Sequence, residues 1–400
     1  MARNLEDDLN EKIDRAILEE AQKPRRERMS NVALGRVFDV HETTIRRHKQ
    51  ALQKALRLPV EQDRDEFFDI PVNAITQRRR TVRLEDGSYE RVTYNPAVAV
   101  AEDVREASYE ELEKVFDRAV LSVAPRVEAD RPKTLVVCLS DFQVGKTDSL
   151  GGTQETVNRV MTTLKRITEW IQAEGSYEEI IVADVGDVCE GFWNVTSQQQ
   201  TNDLSLTDQI RVAQRLMAES VAMLAPLCTR MTYVSIPSNH CAVRMGKGSD
   251  NRANSPDDDF GLLIADTIQA IMSGREPFSH VNFAKPQKWE EAVTVETADG
   301  TAVGFTHGHL AGAQAKIPSW FRDLAFGHRS GLHEASILVH GHFHNFGVSL
   351  VGDNKFIIGC PTADNGSSWF TNRTGDATDP ALLTFEVQDK KAKRWELWYE

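Results

Sequence analysis

Between Leu135 and His344, five short apolar runs each end on residues able to bind a metal ion, and this pattern constrains the fold more than any other feature. Leu135-Val136-Val137-Cys138-Leu139 leads to Ser140-Asp141-Phe142-Gln143. Ile180-Ile181-Val182-Ala183 leads to Asp184-Val185-Gly186-Asp187-Val188-Cys189-Glu190. The run Met231–Ile236 leads to Pro237-Ser238-Asn239-His240, and Ala302–Phe305 leads to Thr306-His307-Gly308-His309. Ile337-Leu338-Val339 leads to His340-Gly341-His342-Phe343-His344. Short apolar runs bounded by turn residues read as buried strands. In open α/β sheets, ligands bind beyond the carboxyl ends of the strands. Carboxylates, an amide and imidazoles gathered at one end of a sheet form a donor set for hard to borderline cations. The last segment is the densest, with three of the chain's 11 histidines in five residues. Its Gly341 permits a sharp turn and a close backbone approach.

The ordered set resembles the calcineurin-like metallophosphoesterase superfamily, whose pattern runs D-x-H, G-D-x-x-D, G-N-H-D/E, H and G-H-x-H. The matching segments are Asp141-Phe142-Gln143, Gly186-Asp187-Val188-Cys189-Glu190, Ser238-Asn239-His240-Cys241, His307 and Gly341-His342-Phe343-His344. The resemblance covers residues 133–372. Four positions depart from the pattern: Gln143 stands for His, Glu190 for Asp, Ser238 for Gly and Cys241 for an acid. The resemblance implies an α/β fold, a four-layer α/β/β/α metallophosphoesterase sandwich, over residues 133–400. Expected strands at Thr134–Leu139, Glu179–Val185, Met231–Ile236, Ala302–Phe305 and Ser336–Val339 alternate with helices at Gln154–Ala173, Thr207–Leu224 and Phe260–Met272. Late strands at Lys355–Ile358, Leu382–Val387 and Trp395–Tyr399 suit a second sheet.

The resemblance further implies two divalent metal ions. Asp187 bridges them, Asp141, Gln143 and His344 complete the first position, and Asn239, His307 and His342 complete the second. His240, next to a ligand, is expected to contact the phosphate and protonate the leaving oxygen. Two ions about 3.5–4 Å apart lower the pKa of a shared water and hold the phosphate oxygens, so that a hydroxide attacks phosphorus in line. His309 and His340 are candidates for the layer behind the ligands. His309 also rivals His307, because the sequence does not fix which of the two turns inward. Gln143 can ligate only through a neutral amide oxygen. That favours Mn²⁺, with Fe²⁺ and Zn²⁺ as alternatives; otherwise Gln143 contacts substrate and the first ion is held weakly.

Residues 1–57 read as a small all-α domain. Leu9, Ile13, Ala16, Ile17 and Ala21 form a helical stripe within Leu5–Gln22, and the segment from Asn31 to His48 resembles a helix-turn-helix. Asp39 takes the turn position where glycine is common and tolerates the left-handed conformation better than most residues. Thr43, Thr44, Arg46, Arg47 and Lys49 are then the side chains for base edges and phosphates. Basic residues dominate from Lys23 to Arg57 although the whole chain carries a net charge of −13. Residues 58–132 read as a connector. It holds a basic hairpin, Arg80–Leu84 and Tyr89–Tyr94 around Asp86-Gly87, and an amphipathic helix at Ala101–Val120.

The 400 residues include five scattered cysteines without zinc-site spacing, and no apolar run approaches membrane-spanning length. Met1–Glu11 is charged and has no apolar core, so a cytoplasmic location without membrane attachment is expected. The leading functional expectation is a metal-dependent DNA nuclease. By resemblance it is similar to the nuclease subunit of double-strand-break repair complexes, targeted here by the helix-turn-helix. The alternatives are a phosphodiesterase or phosphatase of nucleotides and other small phosphoesters, and a DNA-binding regulator with a weakly active phosphoesterase body. DNA is the expected partner; a homodimer on two half-sites and a further protein partner are compatible with the chain. Two segments, Ala242–Asp259 and Ala311–Arg329 with Lys316, Trp320, Arg322 and His328, are read as substrate loops.

Overall fold

The computed structural model describes residues 2–21, 29, 31–41, 43–45, 48, 78–83, 89–94, 104–121, 133–175, 177–193, 201–244, 255–327, 331–352, 355–368, 371–372, 375 and 377–400. The chain divides into two compact units, Met1–Asp69 and Ile70–Glu400. In the first, α1 (Ala2–Ala21) and α2 (Asn31–Val37) are followed by a helical turn at residues 43–45. The stripe on α1 works as a packing face: Ile13 and Ile17 bury against Leu34 and Ile45, with Ala16, Phe38 and Val40 partly buried around them. Asp39 sits at φ 51°, the left-handed turn residue between the two helical segments. Outside the cluster, Asp14 Oδ1 lies 2.7 Å from His48 Nδ1.

The second unit begins with a hairpin, β1 (Arg78–Arg83) paired antiparallel to β2 (Tyr89–Tyr94), and a helix, α3 (Val104–Leu121). Two mixed sheets follow. The first contains β3 (Thr134–Leu139), β4 (Tyr177–Asp184), β5 (Cys228–Ser235), β6 (Val281–Ala284), β12 (Ala381–Gln388) and β13 (Lys391–Tyr399), in the order β13-β12-β3-β4-β5-β6. Strands β3 to β6 run parallel, while β12 pairs antiparallel to β3 and β13 antiparallel to β12. The second contains β7 (Ala292–Glu296), β8 (Ala302–Thr306), β9 (Ile337–His340), β10 (Gly347–Val351) and β11 (Lys355–Gly359), in the order β10-β11-β9-β8-β7, with a parallel centre formed by β8, β9 and β11.

Side chains alternate across a strand, so each central strand must bury two faces. On one face Val136, Cys138, Ile181, Ala183, Val234, Leu383 and Phe385 meet Val303, Phe305, Ile337, Val339 and Ile358 of the other sheet in one continuous core. The opposite residues of β3 and β4, among them Leu135, Val137, Ile180 and Val182, are also fully buried. Helices α4 (Thr153–Glu174), α5 (Leu206–Leu224) and α6 (Phe260–Met272) contact β13, β4 and β5 respectively, and α3 packs on α5 and α6. Ser205 caps α5 by accepting from Asp208 N, and Asp259 caps α6 by accepting from Gly261 N and Leu262 N. On the second sheet, α7 (Ile317–Gly327) packs Ile317 and Phe321 with Leu338 and Ile357.

Two expectations are corrected. The late strands do not all join a second sheet: β11 does, but β12 and β13 extend the first sheet beside β3. Alternating apolar residues specify a buried face and not which neighbour supplies the hydrogen bonds. The segment Ala311–Arg329 is not a loop through its length, because residues 317–327 form α7. Ile317, Phe321 and Leu324 recur at helical spacing, and Trp320 packs partly buried against the same core instead of standing free for substrate.

Candidate metal centre

The chain leaves β3, β4, β5, β8 and β9 at their carboxyl ends, and the residues that follow converge above both sheets. Backbone bonds fasten the loops to one another. Asp141 N donates to Gly186 O at 3.0 Å and Gln143 N to Asp187 O at 2.9 Å. Asp187 N donates to Ser238 Oγ at 2.9 Å, and His240 N to Asp187 Oδ1 at 2.8 Å. His342 N donates to Asp141 Oδ2 at 3.1 Å. Five of the anticipated ligands hold positive φ: Asp141 53°, Gln143 43°, Asp187 54°, His342 70° and His344 55°. Such conformations cost roughly 1–3 kcal/mol each and persist where the surroundings over-determine them, commonly at functional sites. Gly186, at φ 94°, is required sterically as well. A Cβ there would lie 2.7 Å from His307 Nδ1 and from Ser238 Cβ.

Asp187, His307 and His342 bring one donor atom each within 4.8 Å of one another, enough for a single metal ion. Among the described residues this is the one such group of three or more His, Cys, Asp or Glu side chains. His307 is wholly buried; its Nε2 lies 2.9 Å from Asp187 Oδ2 and 3.0 Å from Asn239 Oδ1. Its Nδ1 lies 2.8 Å from Val185 O, so Nδ1–H donates there and Nε2 is left as the ligand atom. The structure thus turns His307 inward. The half-buried His309 ring lies 5.5 Å from that of His307 and 6.1 Å from that of His342. His340 is buried, with Nδ1 3.0 Å from Gly341 O.

The donor atoms around Asp141 are arranged differently. Asp141 Oδ2 accepts from Ser140 Oγ, while Oδ1 is buried without a well-aligned donor and lies 3.2 Å from His344 Nε2. His344 Nδ1 is 3.5 Å from Asp364 Oδ2, a fully buried carboxylate that orients the ring with Nε2 toward Asp141. Gln143 Oε1 accepts from Lys146 Nζ at 2.6 Å, and Lys146 also pairs with Asp364. Burial works against the Lys146 charge, but Asp364 and Glu190 outweigh it and hold the ammonium pKa above the ordinary lysine value.

Charge explains the remaining geometry. Burial disfavours ionised Asp187, yet His307 and His240 hold its carboxyl well below the usual range. Asp141 is likewise lowered, against burial, by His344 and His307. The reciprocal effect lifts His307 and His240 to about 9. His342 goes the other way, to about 4, through burial and the neighbouring His307. Buried carboxylates partnered mainly by imidazoles fit a divalent cation, because metal ligation displaces protons from such sites. The donor set of carboxylate, amide oxygen and imidazole suits that role.

Like Gln143, the other three positions that differ from the pattern have local partners. Ser238 Oγ accepts from Asp187 N, and Cys241 Sγ accepts from Cys189 N at 3.4 Å. Glu190, one methylene longer than the Asp of the pattern, brings Oε2 to 3.2 Å from His240 Nδ1. Sequence reasoning missed Lys146 and Asp364. The polar Thr362-Ala363-Asp364-Asn365 after β11 is the same strand-end signal that marked the other segments. For the DNA-contact candidates, Thr43 is exposed and Thr44 half-buried, with Thr44 N donating to His41 O at 2.9 Å. Arg46, Arg47 and Lys49 lie outside the described residues, as does His328 of the anticipated substrate segment. No helix among the described residues is long and apolar enough to cross a membrane. In comparisons with known proteins, no family model matches the chain, and no curated protein is significantly similar to it.

Proposed function

We propose that this chain is a metal-dependent DNA phosphodiesterase. Its body is a four-layer α/β/β/α metallophosphoesterase sandwich, and the helix-turn-helix of residues 1–57 delivers it to DNA. The observation that carries the reading is the convergence of Asp187, His307 and His342, with Asn239 beside them, at the carboxyl ends of strands from both sheets. That is where the chemistry of an α/β sheet is placed. A divalent ion bound there, with Mn²⁺ favoured by the mixed oxygen and nitrogen donors, would polarise a phosphate oxygen and acidify a water. Asp187, Asn239, His307 and His342 would hold it, and Asp141 and His344 border a second position. His240 is placed to act on substrate: Glu190 and a backbone carbonyl fix its Nδ1, and Nε2 faces the centre 3.9 Å from Asp187 Oδ2. From there it can hold a phosphate oxygen or pass a proton to the leaving alcohol.

Basic residues clustered between Lys23 and Arg57, against a net charge of −13 for the whole chain, favour DNA over a small phosphoester. The test is digestion of linear and circular DNA, single- and double-stranded, with Mn²⁺ and with EDTA, beside Asp187→Ala. Cleavage that needs Mn²⁺, disappears in the variant and weakens steeply with salt supports the reading. Turnover of a bis-aryl phosphodiester or a nucleotide that survives deletion of residues 1–57, without DNA cleavage, moves the assignment to small phosphoesters. DNA binding without turnover of any phosphoester moves it to a regulator.

A further inference from the structure

One cation is already built into the centre. Lys146 Nζ lies 2.6 Å from Gln143 Oε1 and pairs with the fully buried Asp364. The Lys146 side chain is itself mostly buried, 12% exposed. A glutamine can ligate a metal only through its amide oxygen, and in this chain that oxygen is already the acceptor of an ammonium. The same Asp364 oxygen stands 3.5 Å from His344 Nδ1, and His344 Nε2 stands 3.2 Å from Asp141 Oδ1. The ammonium is thus wired, through one carboxylate and one imidazole, to the half of the centre around Asp141.

We propose that Lys146 takes the electrostatic place of a second metal ion, with Gln143 as its tether instead of a ligand, so that the chain retains one divalent ion. This rests on the reading of the centre as a phosphoesterase site. Lys146 is held by Gln143 and Asp364, so a fixed positive charge already stands in the half of the centre around Asp141. A second divalent ion would have to sit beside a fixed ammonium in a buried site, where like charges repel far more strongly than in water. Gln143 and Lys146 therefore act as a pair. The neutral amide at position 143 gives up an imidazole ligand, and the lysine three residues later restores positive charge.

The test is metal stoichiometry of the full chain, stripped with EDTA, equilibrated with Mn²⁺ and desalted, read by elemental analysis and by calorimetric titration. The wild-type chain is expected to hold one Mn²⁺. Lys146→Arg keeps the charge and should hold one. Gln143→His combined with Lys146→Ala should hold two, with the affinity of the second ion rising at least tenfold; thermal melting checks that the variant is folded. Two ions in the wild-type chain, together with phosphodiester hydrolysis, would overturn the proposal and leave the proposed function standing. A single ion in the folded double variant would overturn it as well. No bound Mn²⁺ in the wild-type chain would overturn both.

Discussion

Around Asp187, donor atoms face one another with only imidazole between them: His307 Nε2 lies 2.9 Å from Asp187 Oδ2 and 3.0 Å from Asn239 Oδ1. Around Asp141 an ammonium is already in place: Gln143 accepts from Lys146, and His344 lies between Asp141 and Asp364, while Asp141 Oδ1 has no well-aligned donor. The strand ends are alike, and so is the strained backbone. What differs is whether positive charge must be imported or is already present. A metal position is defined by the fixed charge around it as well as by the residue types that line it.

The largest expected effect breaks the half around Asp187. Asp187→Ala should lower hydrolysis to background and abolish retained Mn²⁺, since its oxygens reach both His307 Nε2 and the His240 backbone. Elemental analysis with an activity assay checks this, and retained metal in the variant would count against the assignment. His240→Asn should lower kcat by about 10²–10⁴-fold, the range for a group that transfers a proton, while Mn²⁺ content stays at the wild-type value. A parallel loss of metal would make His240 a ligand.

On the other half the effects should be smaller. Asp364→Asn weakens the anchor of Lys146 and the support of His344, and outer partners of this kind are worth about 10–100-fold in affinity or activity. Steady-state kinetics across a Mn²⁺ series measures it; an unchanged Mn²⁺ dependence would detach Asp364 from the centre. The smallest effect concerns stability behind the loop of Asn239. Burial pushes Asp259 up to about 7, with the buried Asp184 nearby adding to the rise. An unfolded chain releases that proton near pH ~4, so between about 4 and about 7 the folded protein binds the extra proton. The stabilisation from this group is full below that window and is lost as pH rises through it. Asp259→Asn keeps an acceptor for the α6 cap and should flatten the fall of Tm between about pH 4 and pH 7; an unchanged slope would contradict the sign.

Much of this was legible because it is local. The apolar run Thr134–Leu139 and the helix Phe260–Met272 carry their periodicity within themselves, and both form over those residues. The five strand ends were legible because glycine, carboxylates and histidines interrupt apolar runs abruptly. What could not be read depends on contacts between distant residues. Lys146 and Asp364 meet across 218 positions of sequence, and no spacing encodes that. The choice of β3 as the partner of β12 is likewise made by the packed sheets. Helix α7 was hidden within a segment read as a substrate loop because it follows His307, although Ile317, Phe321 and Leu324 carry helical spacing. Glu190 sat inside a recognised motif, but its hold on His240 appears only when the two loops meet.

The most direct test is an anomalous difference map at the manganese edge from crystals of the full chain grown with Mn²⁺. The account predicts one strong peak bonded by Asp187, Asn239, His307 and His342, with Lys146 still on Gln143. No peak at these residues would contradict the claim that this cluster is a metal centre, and a second peak of equal strength at Asp141 and His344 would contradict the role given to Lys146.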